Sequence, residues 1–232
     1  MSLTIVIPVH NEAKIIVPQI LRYLKLLKSH KIRAKFILSE NGSQDNTRKI
    51  CETLSKKFKN ISYISTNSPN YGLALKKGIL KSRSDLILCD EIDICNINFL
   101  KKGISLIISK KFDLVIGSKN LKKDLDSRPL TRRLATSFLN LILKILFNFE
   151  GTDTHGIKIF NRKKIIPIVK KTLLDKDMFT TELVINCQKN KLRYKEIPIK
   201  IKEIRDTPIS LYKRIPKVIM QLSKLFLLRI KI

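Results

Sequence analysis

Short apolar runs alternate with longer amphipathic segments along the first half of the chain, and this alternation restricts the fold more than any other feature. The runs at residues 3–8, 35–38, 61–65, 85–89 and 112–116 are each followed by a polar or glycine-containing turn. Between them, residues 13–27 carry Ile16, Ile20, Leu24 and Leu27 on one helical face, and residues 45–58 repeat Ile50, Leu54 and Phe58 at intervals of four. Strands separated by helices are joined by right-handed crossovers, so the expected class is α/β, a mostly parallel sheet flanked by helices and buried on both faces. Ligands of such sheets bind beyond the carboxyl ends of the strands. Polar clusters fall there: His10 to Glu12 after the first run, Ser39 to Asp45 after the second, Asp90 to Asp93 after the fourth, and Gly117 to Asn120 after the fifth.

The 232 residues include 47 Lys and Arg against 19 Asp and Glu, a formal net charge of +28. With 44% hydrophobic residues the chain is too apolar for a disordered polycation and long enough for one large α/β domain. Such a charge suits a nucleic acid partner, an anionic membrane or anionic substrates, or reflects a compositional bias toward Lys, Ile and Asn. The absence of Trp, an aromatic content of 6% and the lack of a recognisable binding module weigh against nucleic acid. Cys51, Cys89, Cys95 and Cys187 form no CxxC pair, so neither a disulfide framework nor a structural zinc site is expected, and a reducing cytoplasm fits best. The first residues lack the basic region of a secretory leader, and no stretch reaches the roughly 18 uninterrupted apolar residues of a membrane span. No span is therefore expected.

After Lys119 the pattern changes. A charged stretch over residues 122–133 leads into a long amphipathic helix with Leu134, Phe138, Leu141, Ile145 and Phe149 at helical spacing. Residues 150–163 read as a loop feeding a short strand, followed by a helix from about residue 180 and a strand around 194–204. The tail from Pro216 sets Ile215, Val218, Ile219, Leu222, Leu225 and Phe226 on one side, with Lys217, Lys224, Arg229 and Lys231 around it and no acidic residue. The expected organisation is one catalytic domain over 1–210 and a basic amphipathic helix over 211–232. That helix either packs on the domain or, with Arg128, Arg132 and Arg133, rests on anionic headgroups.

The densest chemical signal is Asp90, Glu91 and Asp93 at the end of a buried strand. Concentrated negative charge there is costly unless a cation neutralises it, and hard divalent ions take carboxylate oxygens while bridging to phosphate. Glu91 and Asp93 are candidate ligands for Mg²⁺ or Mn²⁺ with a diphosphate; a solvated acidic loop is the plain alternative. Pro8 to Glu12 supply groups that accept hydrogen bonds from a ribose or a base, although Asn11 also suits a helix cap. Ser39 to Thr47 combine a glycine turn with the cap residues Ser43 and Asp45.

Taken in order, IVIPVHNE, ILSENGSQDNT, NYGLALKKGI, LILCDEID, VIGSKN, TDTHGIKIFNR and EIPIKI resemble the family 2 glycosyltransferases with a GT-A fold. Within them the pattern is similar to the polyprenyl-phosphate (dolichyl-phosphate) mannosyl- or glucosyltransferase branch, over roughly residues 3–210. The resemblance implies a peripheral enzyme on the cytoplasmic face of a membrane. Such an enzyme moves a hexose from GDP-mannose or UDP-glucose, with inversion, to the phosphate of a polyprenol. It implies that Pro8, His10 and Glu12 line the nucleotide pocket and that Ser39 and Asn41 meet the base or ribose. Glu91, Ile92 and Asp93 take the metal-binding DxD positions with Asp90 as a further carboxylate, and Lys119 holds a phosphate as a point charge. By the same resemblance Arg205 and Ser210 match the segment that closes over the donor in the family, with Lys213 the nearest substitute for the lysine the family has where this chain has Leu211. The chain departs from the family pattern at His10, where an aromatic is usual, at Glu40 and Asn41, where two Asp are usual, at Glu91 for Asp, and at Lys119 for Arg.

Breaking the anomeric C–O bond leaves a nucleoside diphosphate, whose developing charge a metal and Lys or Arg neutralise. A phosphate acceptor is already ionised, so positioning replaces a strong general base. A hydroxyl acceptor would require one, with Asp153 or His155 as candidates. A family 2 enzyme acting on a saccharide hydroxyl, and an altered GT-A domain that only binds, are the competing readings.

Overall fold

The computed structural model describes residues 1–122, 130–200 and 219–227. Its elements are β1 (Leu3–Val9), α1 (Ile16–Ser29), β2 (Lys35–Asn41), α2 (Thr47–Lys57), β3 (Ile61–Thr66), α3 (Tyr71–Lys81), β4 (Leu86–Cys89), α4 (Ile97–Ile108), β5 (Leu114–Ser118), α5 (Leu130–Phe147), β6 (Lys158–Asn161), α6 (Arg162–Lys171), α7 (Phe179–Lys189) and β7 (Tyr194–Pro198). The strands form a seven-stranded sheet in the order β3-β2-β1-β4-β6-β5-β7. Every pairing is parallel except those of β6, which runs antiparallel to both β4 and β5. The expected α/β class with a mostly parallel sheet is present.

Alternation along the strands feeds two cores. Ile5, Ile7, Val9, Phe36 and Leu38 pack with Ile16, Ile20, Tyr23 and Leu27 of α1 and with α2 and α4, whereas Val6 and Ile37 face α3, α6 and α7. Buried on both faces, β1 is fully apolar apart from Thr4 and Pro8, as parallel central strands require. α3 approaches β1 and β2 closely because Gly78 leaves room: a Cβ there would clash with Val6 Cγ1 and stand 2.5 Å from Ser39 Oγ.

The chain steps outward from β1 through β2 to β3, then returns to place β4 on the other side of β1. This reversal opens a crevice between the carboxyl ends of β1 and β4, the place where open α/β sheets bind ligands. Because β6 is antiparallel, its first residue, Lys158, pairs with Cys89 at the end of β4 and so joins the same edge.

Apart from β2, which runs on to Asn41, three elements differ from the sequence reading. α1 starts at Ile16, because residues 13–15 form a turn in which the Glu12 carbonyl accepts from Ile15 N and Ile16 N. α6 was not anticipated; Pro167 inside it obscures the period of its buried Ile165, Ile168 and Val169. In α5 the apolar faces are exchanged. Leu134, Phe138, Leu141 and Ile145 are 60%, 64%, 52% and 69% exposed, while Leu143 and Phe147 are buried. The helix ends at Phe147, so Phe149 is buried independently of it.

Residues 219–227 are helical, and Leu222 and Leu225 join the core cluster that contains Leu143 and Phe147. Gln221 Oε1 accepts from Met178 N at 3.2 Å, so this part of the tail packs on the domain. The expected boundary near residue 210, Arg128, and the remainder of the tail lie outside the described residues. Among the described residues, all four cysteines are buried free thiols and no helix is long and apolar enough to cross a membrane.

Candidate active site

Two loops close one side of the crevice by bonding to each other. His10, half-buried, sets Nδ1 2.8 Å from the Asn41 carbonyl, so Nδ1 carries the proton and Nε2 accepts from Asn11 Nδ2 at 3.3 Å. Asn11, at φ 54, receives Gln44 N on its Oδ1 at 2.9 Å and donates its own N–H to Ser43 Oγ at 3.1 Å. Asp45 accepts from Ala13 N, and Thr47 Oγ1 accepts from Glu12 N. Glu40, almost fully buried, turns the loop by accepting from Ser43 N at 2.5 Å and from Ser65 Oγ. Asn41 Oδ1 accepts from Asn70 N, and Asn70 in turn caps α3 and donates to Asp175 at 2.7 Å.

The β4 side carries the charge. Asp90 is 3% exposed; Tyr23 Oη donates to its Oδ2 at 2.6 Å and Glu91 N to its Oδ1 at 2.8 Å. Burial pushes its carboxyl up to about 7, a direction reinforced by the neighbouring Glu91 and Asp93. The same burial raises the Tyr23 hydroxyl well above its usual range. A turn closed by Ile94 N on the Glu91 carbonyl leaves Glu91 and Asp93 half-exposed on either side of Ile92, whose side chain is core. Beside them Lys158 is 2% exposed and donates to the Gly156 carbonyl at 2.5 Å. Burial lowers its ammonium below the usual lysine range, while Asp153, Cys89 and Glu91 counteract the shift.

The loop before β6 is stitched to β5, β7 and α5. Asp153 Oδ1 accepts from His155 N at 2.8 Å and Gly156 N at 3.0 Å, and its Oδ2 accepts from Lys119 N at 3.2 Å. Glu196 of β7 accepts from Thr152 N and Asp153 N at 2.8 and 3.2 Å. Asn140 of α5 and Asn120 both donate to the Thr152 carbonyl, at 2.6 and 2.8 Å. Three backbone amides on its carboxylate make Asp153 an anchor of this loop. His155 lines a narrow cleft with Tyr71, Asp90, Glu91, Lys158 and Thr180, and the buried Thr180 Oγ1 has no hydrogen-bond partner there. A larger groove between α1 and α2, lined by Val17, Leu21, Ile50, Leu54 and Phe58, holds no carboxylate or histidine.

Pro8, His10, Glu12, Ser39, Asn41, Asp90 to Asp93 and Lys119 thus come to one sheet edge. Within that set Ser39 is sealed beneath α3, its Oγ fully buried and unpaired, so its hydroxyl does not face the crevice. Arg205, Ser210, Leu211 and Lys213 lie outside the described residues. Tyr23, Asn70 and Glu196 support the site without having been singled out for it, whereas Glu40, noted in the sequence only as a departure from the family pattern, proves to be buried and to turn the loop. Among the described residues no three His, Cys, Asp or Glu gather to enclose a metal ion. Glu91 and Asp93 nevertheless suit Mg²⁺ or Mn²⁺, which accept one or two carboxylates when substrate phosphate and water complete the shell.

This arrangement has relatives. The chain is 27% identical over 224 residues to the dolichyl-phosphate beta-glucosyltransferase ALG5C of Trichomonas vaginalis, covering 90% of this chain and 66% of that protein. It is 28% identical over 216 residues to the UDP-N-acetylglucosamine--dolichyl-phosphate N-acetylglucosaminyltransferase of Methanococcus voltae, covering 84% of each. The chain thus spans just under two thirds of the length of its Trichomonas relative. Mannosyl-3-phosphoglycerate synthase from Rubrobacter xylanophilus superposes with a TM-score of 0.65 at 16% identity, over 89% of this chain and 69% of that one. Glucosyl-3-phosphoglycerate synthase from Mycobacterium tuberculosis, solved with Mn²⁺, uridine diphosphate and phosphoglyceric acid, gives 0.63 at 14% identity, over 89% and 72%. These neighbours establish the GT-A fold. The model of glycosyl transferase family 2 matches residues 4–184, and with that match spanning most of the chain, the protein belongs to this family.

Proposed function

We propose that the protein transfers a hexose from UDP-glucose or GDP-mannose, with inversion, to the phosphate of a polyprenol of the dolichyl type, working as a peripheral enzyme on the cytoplasmic face of a membrane. The observation that carries this reading is the pair Glu91 and Asp93 at the β1/β4 switch point, on the same sheet edge as Lys119 and as a loop whose buried carboxylate, Asp153, accepts from three backbone amides. An acceptor that arrives ionised needs no strong base, which agrees with an Asp153 carboxylate already bonded to three amides. The dolichyl-phosphate transferases among its relatives support the same acceptor, and the glucosyltransferases among them put glucose first.

Glu91 and Asp93 would hold Mg²⁺ or Mn²⁺, with Asp90 behind them fixing the turn through its bonds to Tyr23 and the Glu91 amide. When bound, the ion neutralises charge developing on the departing diphosphate. Lys119 adds a point charge for a phosphate, and His10, Glu12 and Asn41 form the nucleotide wall with Pro8 and the Ser39 backbone beneath them. Arg205 and Lys213, which lie outside the described residues, would add positive charge for the donor diphosphate in this reading.

Purified protein given a radiolabelled nucleotide sugar, Mg²⁺ or Mn²⁺ and a polyprenyl phosphate should produce an organic-extractable sugar lipid, and absence of product with every donor would overturn the proposal. Asp93→Ala should abolish metal-dependent nucleotide binding in calorimetry; unchanged affinity would show the ion is held elsewhere. One observation favours a hydroxyl acceptor instead: His155 stands in the cleft with Glu91. That alternative predicts label in a water-soluble saccharide and its loss in His155→Ala.

A further inference from the structure

We infer that the outer face of α5 is a membrane-docking surface that lies in the headgroup region of an anionic bilayer. The inference rests on the proposed transfer to a lipid phosphate and names the part of the protein that meets the lipid.

α5 has two apolar faces. At about 100° per residue, Leu130, Leu134, Phe138, Leu141 and Ile145 fall within an arc of roughly 80°, and Leu139, Leu143 and Phe147 fall on the opposite side. The second group packs into the core around α7, with Leu143 at 0% and Phe147 at 4% exposure. The first group stands in solvent, each member at least half exposed, along a helix of 18 residues, about 27 Å long. Five large side chains in one continuous stripe form a patch that soluble surfaces avoid unless it is used.

Charge selects the occupant. The α5 sequence contains no acidic residue, Arg133 and Lys144 fall on the flank next to the outer stripe on the same wheel, and the whole chain carries +28. A basic helix with an apolar face attracts anionic lipid while its Lys and Arg stay at headgroup level. A second copy of this chain would bring another +28 to the same place and be repelled. Position supplies the purpose. Asn140, on a flank between the two faces, donates to the Thr152 carbonyl at 2.6 Å, next to Asp153, which in turn binds Lys119 N. A docked α5 therefore holds the loop that organises Lys119 at the bilayer surface, where a lipid phosphate is presented.

The test uses the full chain and vesicles without polyprenyl phosphate or donor. Wild type should sediment with phosphatidylcholine vesicles containing about a third phosphatidylserine and much less with phosphatidylcholine alone, and the double variant Leu134→Glu, Phe138→Glu should lower the partition coefficient by about tenfold or more. Because the chain has no Trp, Phe138→Trp introduces a single indole whose emission should be that of an exposed group in buffer and shift to the blue on anionic vesicles. Wild type that ignores anionic vesicles, or a double variant that binds as wild type does, overturns the inference. So does an indole emission already blue-shifted in buffer, since another part of the chain or a second copy then covers the stripe. With no acceptor in the vesicles, failure here leaves the transferase reading intact, whereas normal docking without sugar transfer removes that reading alone.

Discussion

α1 and α5 are both amphipathic helices with one face in a core cluster, and they use their apolar residues in different ways. α1 places Ile16, Ile20 and Leu27 in the core with Tyr23, whose hydroxyl reaches Asp90, so one face serves both packing and the site. α5 divides its apolar residues between an inner face that holds the helix on the domain and an outer face that nothing among the described residues covers. A surface helix of a soluble domain ordinarily carries one apolar stripe toward the core, and the exposed second stripe of α5 departs from that pattern. The difference separates a wall of the crevice from a surface the crevice presents to its surroundings.

The largest effect expected from this contrast is in α1. Ile20→Ala, at a fully buried position, should cost about 2–5 kcal/mol in urea unfolding. Leu143→Ala on the inner face of α5 should fall in the same range, about 2–5 kcal/mol. Phe138→Ala on the outer face should stay within about 0.5 kcal/mol in buffer and yet weaken vesicle binding. If Phe138→Ala cost more stability than Leu143→Ala, the two faces of α5 would have to be exchanged.

The smallest effect concerns charge at the surface. The Arg193 guanidinium, hydrogen-bonded to Asp113 at 3.1 Å, holds that carboxyl below the usual range and ties the chain before β5 to that before β7. A carboxyl with a depressed folded-state pKa stabilises above its unfolded value, near pH 4, and loses that contribution as pH falls through the folded value. Asp113→Asn should therefore lower the melting temperature slightly at pH 7, with the difference vanishing in acid, because the pair is partly exposed. A large loss at neutral pH would show that ion pairing, rather than apolar burial, holds these elements in place.

Much of the site could be read before any fold was known. The strand ends after residues 8, 38, 89 and 116 announced the crevice edge, and DEID announced its charge, because parallel strands place the turns that follow them on one side. The roles of Tyr23, Glu196 and Lys158 could not be read. Tyr23 lies on a helix face that looks purely apolar, Glu196 in a strand pattern, and Lys158 acquires its setting from an antiparallel strand that no local rule inserts between β4 and β5. Ser39 shows the converse: a polar residue at a strand end that the close approach of α3, permitted by Gly78, withdraws from the crevice.

By itself the sequence determined the strand and helix alternation, the sheet edge that bears the polar clusters, the acidic turn and the family pattern, since these follow from local periodicity and residue order. Tertiary structure alone decided which carboxylate is buried against Tyr23, which is committed to backbone amides, and which of the two apolar faces of α5 is turned inward. Periodicity specifies that a helix has a face, but only the packing partners, brought together from distant parts of the chain, select the face that leaves water.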